Sequence, residues 1–169
     1  HSAFFYPWND DPLEVFFTIN KRWRVIKVLM GLEPDAYEKN TPKDGVVDRI
    51  QIANYPPKHG FLSPHSDPYL HQRLFFSGYM SKRGKDYQGG GFYVVAGDNG
   101  IVEVEDQIEV GDIGIGYATI VHGVAPCKGE PIWNGTGRWF LSMYSNASDE
   151  VENRHTGHPV ELKLEGVMP

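Results

Sequence analysis

The chain has 169 residues, 40% hydrophobic and 22% charged, which excludes wholesale disorder and suits one compact domain over residues 1–169. A formal net charge of -6 argues against nucleic acid as the main partner, because phosphate binding wants clustered Lys and Arg. No apolar run approaches the roughly 20 residues that a membrane-spanning helix needs, so no membrane partner is expected.

A single cysteine, Cys127, excludes an intramolecular disulfide and points to a reducing, cytoplasmic compartment. The chain opens on His1 with no charged-then-apolar leader, and reads as a cropped or processed piece of a longer protein.

Residues 1–11 are aromatic and turn-rich, with Phe4, Phe5, Tyr6 and Trp8. A helix is predicted next. Asp11 is its cap, Pro12 its first residue, and Glu14 completes a capping box. Phe16, Ile19, Trp23, Ile26 and Met30 recur at three and four spacing, which puts an apolar stripe on one face; Gly31 is the stop. The basic cluster of Lys21, Arg22, Arg24 and Lys27 reads as the wet side of this helix. From Val46 onward the chain changes to short strands separated by Gly, Pro, Asn and Asp: Val46–Tyr55, Arg73–Met80, Gly91–Val95, Ile101–Val104, Ile113–Ile120 and Arg138–Ser145. The pattern predicts a mainly β sandwich or barrel supported by one N-terminal helix. The polar tail after Asn146 carries no clear element.

The sharpest local feature is His65-Ser66-Asp67. Residues two apart on an extended strand point to one face, so the imidazole and the carboxylate can converge on one ion. His122, in Ile120-Val121-His122-Gly123-Val124, offers a second imidazole. Two histidines and one carboxylate on one face of a metal leave positions open, the facial arrangement of iron(II) oxygenases. Each residue also has an ordinary reading by itself. His65 and Asp67 are flanked by prolines and suit a loop, His122 suits a core, Arg138 a surface and Tyr55 plain packing.

The order of the segments speaks against coincidence. Gly89-Gly90-Gly91-Phe92, then Gly111-Asp112-Ile113, the His122 segment, and Gly137-Arg138-Trp139-Phe140-Leu141-Ser142 follow His65-Ser66-Asp67. From about Val46 to Ser145 the sequence resembles the iron(II)- and 2-oxoglutarate-dependent dioxygenases. That resemblance implies a double-stranded β-helix, a jelly-roll barrel of cupin type. It implies that His65, Asp67 and His122 are the metal ligands and the catalytic centre, with Fe(II), 2-oxoglutarate and O₂ as cofactor and co-substrates. Arg138 matches the basic residue that pairs with the far carboxylate of 2-oxoglutarate, and a guanidinium fork suits a carboxylate. Tyr55, in Asn54-Tyr55-Pro56-Pro57, matches a tyrosine that helps to bind it. One branch of the family has a serine two residues after the arginine; here Phe140 stands there, and Ser142 is the serine on the same strand face.

The resemblance implies hydroxylation of an unactivated C–H bond, and the presence of Asp67 disfavours halogenation. The acidic charge disfavours a nucleic-acid demethylase, and the preferred substrate is a small molecule such as an amino acid or a biosynthetic intermediate. Alternatives are a prolyl hydroxylase acting on a protein, an iron oxidase independent of 2-oxoglutarate, and a cupin-like binding domain. Expected pocket residues are Phe4, Phe5, Tyr6, Trp8, Trp133, and either Arg73, Phe75, Ser77 and Tyr79 or their alternates. His59 and His71 flank the iron segment, while His155 and His158 have a ligand-compatible spacing that Gly157 and Pro159 make improbable as a helix.

Overall fold

The computed structural model describes residues 1–97, 100–130, 135–148 and 158–161. Among the described residues, ten strands and one α-helix follow in chain order: β1 Ser2–Phe5, α1 Val15–Leu29, β2 Val46–Tyr55, β3 Leu62–Ser66, β4 Leu74–Tyr79, β5 Gly91–Val95, β6 Ile101–Glu103, β7 Ile113–Tyr117, β8 His122–Ala125, β9 Arg138–Ala147 and β10 His158–Pro159. They form two five-stranded antiparallel sheets, ordered β1-β2-β9-β4-β7 and β10-β3-β8-β5-β6. Between β2 and β9 the chain crosses repeatedly from one sheet to the other.

Alternation along the first sheet creates three layers. Ile50 of β2, Phe76 of β4, and Leu141 and Met143 of β9 meet Trp23, Ile26 and Met30 of α1 on the outer face. The residues between them face the second sheet, where Phe75 and Tyr79 pack against Phe92 and Val124. A cavity of about 470 Å³ opens between the sheets.

The helix stripe falls as expected, and Gly31 follows the helix with φ of 77°. Its start does not match the capping box. The helix begins at Val15, and Glu14 takes the cap position in a left-handed conformation at φ 52°. Asp11 caps from farther out, its two carboxylate oxygens accepting the N–H groups of Val15 and Phe16 at 2.8 Å each. An acceptor for the orphan N–H groups is what the helix start requires, and a carboxylate in the preceding turn provides it.

The basic run also needs correction. Lys21, Arg22 and Arg24 are exposed, but Lys27 is fully buried between helix and sheet and paired with Asp48 at 2.5 Å. Asp48 further accepts from Ser145 Oγ at 2.6 Å and Trp23 Nε1 at 3.4 Å. Burial pushes the Asp48 carboxyl up from its ordinary range, with Lys27 pulling the other way. Removing one partner of such a pair strands the other charge in the core. Lys27→Met is therefore expected to destabilise the chain by about 4 kcal/mol and lower Tm by about 10 °C. Lys27→Met with Asp48→Leu should recover most of that loss in the same melt.

Four strands escape the sequence pattern. β1 and β10 are short edge strands, and β3 carries three polar residues, Ser63, His65 and Ser66, and Pro64 in five residues. β8 is separated from β7 by a turn at Ala118–Ile120 that breaks the continuous strand expected over Ile113–Ile120. Among the described residues, no helix is long and apolar enough to cross a membrane.

Candidate active site

The turn between β7 and β8 moves the chain from the first sheet to the second and builds half of the site. Its Ala118 carbonyl accepts the N–H of Asp67 at 2.8 Å, and Ile120 O pairs with His122 Nδ1 at 2.8 Å. β3 and β8 pair so that His65 lies directly opposite His122, their ring centroids 4.4 Å apart. Asp67 follows the end of β3. Its carboxylate stands 3.6 Å from His65 Nε2 and 3.8 Å from His122 Nε2, and one ligand atom from each of the three lies within 4.8 Å of the others.

Both imidazoles are held alike. His65 Nδ1 pairs with Ser63 O at 2.8 Å, as His122 Nδ1 pairs with Ile120 O. A carbonyl can only accept, so each Nδ1 carries the proton and each Nε2 presents a lone pair toward Asp67. This is the second contact that metal-bound histidines make. Burial pushes the His122 imidazole below its ordinary pKa, outweighing Asp67, which favours the neutral, ligating form. Phe75 and Phe92 pack on the ring at 5.0 and 5.5 Å. A first-row ion bonded at about 2.1 Å to two atoms holds them roughly 3–3.5 Å apart. The two carboxylate–imidazole spacings need to close by a few tenths of an ångström and the widest spacing, within 4.8 Å, by more than one, while two imidazoles and a carboxylate are donors of the type such an ion takes.

A second feature lies deeper in the same cavity. Arg138 is 1% exposed, and its Nε donates to Glu105 Oε1 at 2.6 Å. That carboxylate, itself buried, also accepts from Phe92 N at 2.7 Å and Tyr87 Oη at 2.5 Å. Gly91 is shaped by this network. Its φ is 113°, and a Cβ there would lie 2.5 Å from Glu105 Cγ, which gives the glycine run before Phe92 a steric reason. Glu105 grips only the Nε edge of the guanidinium. Both Nη atoms are buried with no hydrogen-bond partner, although Arg138 lines the cavity. Buried donors left this way are rare, and two on one fork match a carboxylate.

No protein-family model and no curated protein matches the chain. Solved structures do. A prolyl-4-hydroxylase from Pseudomonas putida superposes with a TM-score of 0.57 at 18% identity, over 85% of this chain and 66% of that one. A prolyl hydroxylase from Trichoplax adhaerens, in complex with a hypoxia inducible factor oxygen degradation domain peptide fragment, gives 0.52 at 13%, over 85% and 62%. The likeness is one of fold. The chain spans just under two thirds of either neighbour's length.

Within this prolyl hydroxylase-like fold, the other expected residues divide. Tyr55 stands opposite Arg138 in the β2–β9 ladder and lines the cavity, its ring 5.6 Å from the guanidinium carbon. Ser142 also lines it, but its hydroxyl donates to Phe76 O at 2.7 Å, so its proton is already committed to the sheet. Of the two sets on β4, the structure selects Phe75 and Ser77 as cavity-lining residues. Arg73 turns away to donate to Met30 O at the end of α1, and Tyr79 packs behind Arg138 at 5.5 Å. Phe4, Phe5, Tyr6 and Trp8 do not line the cavity; Phe5 packs against the helix core, and Tyr6 stacks on Trp8. His71 lines it, whereas His59 is exposed beside a separate depression. His158 is exposed in β10, and Trp133 and His155 lie outside the described residues.

Sequence reading missed Arg49, Gln51, Tyr144 and Glu105. The first three were open to it, because Arg49 and Gln51 precede Tyr55 by even steps on β2, and Tyr144 follows Arg138 by an even step on β9. Glu105 left no local signal. It sits in the 3₁₀ turn Glu105–Gln107 beside Asp106 and looks like a solvated loop acid.

The tyrosines around this network titrate late. Burial, reinforced by Glu105, pushes Tyr79 up to about 12 against the opposing pull of Arg138. Burial and its bond to Glu105 raise Tyr87 too, and burial raises Tyr144. A raised folded-state pKa contributes stability that is complete below about pH 10 and is lost as the pH climbs toward 12. Near-ultraviolet titration of the nine tyrosines should show a fraction ionising near pH 10 and the remainder only with unfolding. Full ionisation by a single step near pH 10 in the folded chain would contradict these burials.

Proposed function

We propose that the chain is the catalytic domain of a non-haem iron(II) dioxygenase that couples oxidative decarboxylation of 2-oxoglutarate to hydroxylation of a small-molecule substrate. In this reading the two sheets are the halves of a double-stranded β-helix. The observation that carries the reading is the pair of orphaned Nη atoms on Arg138, a residue lining the cavity that also holds the His65–Asp67–His122 cluster. A lone metal site explains the triad but leaves those donors without purpose. A dicarboxylate that chelates a metal at one end and needs a cation at the other accounts for both.

The residues take these roles. His65 and His122 offer Nε2 lone pairs and Asp67 a carboxylate oxygen; the Ser63 and Ile120 carbonyls keep both imidazoles in the ligating tautomer. Arg138 takes the far carboxylate through its Nη fork, held by Glu105, and Tyr55 borders the same anion. Phe75, Phe92 and Phe140 keep the wall dry, which strengthens that ion pair. When bound, iron(II) with 2-oxoglutarate and O₂ supplies the oxidant for the C–H bond. The buried Cys127 has no partner for a disulfide, and a cytoplasmic setting fits it.

A second reading, hydroxylation of a prolyl residue in a peptide, is favoured by the two fold neighbours, both described as prolyl hydroxylases and one holding a peptide. Anaerobic titration with iron(II) and then 2-oxoglutarate tests the common core. A weak visible charge-transfer band is expected only when both are present. With O₂, succinate should form and a free acid or a proline peptide should stimulate it, which separates the two readings. No band and no succinate would leave a binding domain; oxidation without succinate would indicate an iron oxidase independent of 2-oxoglutarate.

A further inference from the structure

We propose that Arg49 is the substrate anchor of this cavity and that the substrate is a small molecule bearing a free carboxylate. The inference rests on the oxygenase reading, and deepens it by naming the substrate class.

Among the described residues two guanidiniums line the cavity, and they differ in their surroundings. Arg138 is neutralised by Glu105. Arg49 takes part in no ion pair among the described residues, and its Nε is buried without a hydrogen-bond partner. A partly buried cation with no counter-charge is unfavourable unless something held it there is of use. It is held by rings. Phe4 from β1 and Tyr144 from β9 lie 4.9 and 5.2 Å from the guanidinium carbon, one from each strand flanking β2. Tyr144 is fixed in turn by donating its hydroxyl to Gln51. Rings attract a guanidinium without using its N–H groups, so the donors stay free for an anion.

Position gives Arg49 a role different from that of Arg138. On the β2–β9 ladder Arg49 faces Tyr144 and Tyr55 faces Arg138, six residues away along β2. At about 3.3 Å per residue, the two ends lie roughly 20 Å apart at the backbone. Glu105 ties one guanidinium to its end and the Phe4 and Tyr144 rings hold the other at its own, so one five-carbon dicarboxylate is not expected to bridge both. The Arg138 end takes the co-substrate, and the cavity between the two ends contains His65, Asp67 and His122. A second molecule anchored at Arg49 extends toward the same triad. One cation, on a cavity lining that also includes Gln51 and Asn146, matches a monoanionic carboxylate better than a phosphate dianion.

Two measurements on the whole chain test this. In metal-free protein, arginine Nε–Hε signals are followed in proton–nitrogen spectra while free L-amino acids and small monocarboxylic acids are titrated, each beside its carboxamide. The Arg49 signal is identified by its loss in Arg49→Lys. At least one acid should move that signal saturably at millimolar concentration while its amide leaves it unmoved. In protein holding iron(II) and 2-oxoglutarate under argon, the same acid should perturb the visible band. Arg49→Gln should weaken that effect about thirty-fold, with 2-oxoglutarate affinity unchanged, and Arg49→Lys should restore part of it. The inference is overturned if no acid moves the signal, if amides bind as well as acids, if Arg49→Gln binds undiminished, or if an internal proline peptide alone binds. Absence of the band in the unaltered chain sinks the oxygenase reading instead and leaves the Arg49 signal to decide the anchor by itself.

Discussion

Replacing Asp67 by alanine is expected to abolish iron(II) binding and turnover while leaving the fold in place. The carboxylate is the cluster's only fixed negative charge, standing 3.6 and 3.8 Å from the two Nε2 atoms. Two neutral imidazoles remain without it, and the loss in affinity should exceed about a hundredfold, above what removing a supporting contact costs. Stability should hold for a local reason. The structural tie at this position is the backbone N–H to Ala118 O, which alanine keeps, and the side chain is only partly buried. Tm is expected to stay within about 2 °C, as for a substitution that opens no cavity and strands no partner. His122→Ala makes the contrast. It removes a buried ring packed on Phe75 and Phe92, so both iron binding and Tm should fall. Iron titration with a melting curve separates the cases. An Asp67→Ala chain that binds iron(II) as tightly as the parent would remove this cluster from consideration as the metal site.

The sequence carried these features unequally, for physical reasons. Strands β2 and β5 have their expected bounds, and β9 runs two residues past its own, because apolar and β-branched runs bounded by Gly, Pro and Asn mark strands. The pairing of Tyr55 with Arg138 follows from that register. The His65–Asp67 pair was legible as a motif, although β3 ends at Ser66 and Asp67 lies just past it, and His122 because an imidazole among valines stands out. What stayed hidden depends on contacts distant in the chain. Lys27 looked like part of a wet face, and only Asp48, 21 residues away, makes its burial tolerable. Glu105 reaches Arg138 across 33 residues through a slot that Gly91 leaves open. The turn at Ala118–Ile120 was masked by an apolar run, although it is the turn that carries His122 into the other sheet.

The order Arg138→Ala, Arg138→Lys then separates the two tasks of that side chain. Alanine removes the cation from Glu105, a carboxylate 2% exposed that would keep Phe92 N–H and Tyr87 as its remaining donors. A buried charge deprived of its partner costs about 3–5 kcal/mol, so the alanine chain should lose stability and co-substrate affinity together. Lysine keeps the positive charge beside Glu105 but lacks the planar fork. Its fold should survive, and its 2-oxoglutarate Kd should rise about thirty- to a hundredfold, equivalent to roughly 2–3 kcal/mol for a charge-assisted pair that loses its two-point geometry. Iron(II) affinity without co-substrate should not change in the lysine chain, because the guanidinium is not one of the three proposed ligands. Glu105→Gln completes the test. An amide still accepts from Arg138 Nε and Phe92 N while its charge is gone, so a near-normal Kd in that chain would assign Glu105 to orientation. If Arg138→Lys bound 2-oxoglutarate as tightly as the parent, the orphaned Nη pair would not be the co-substrate grip.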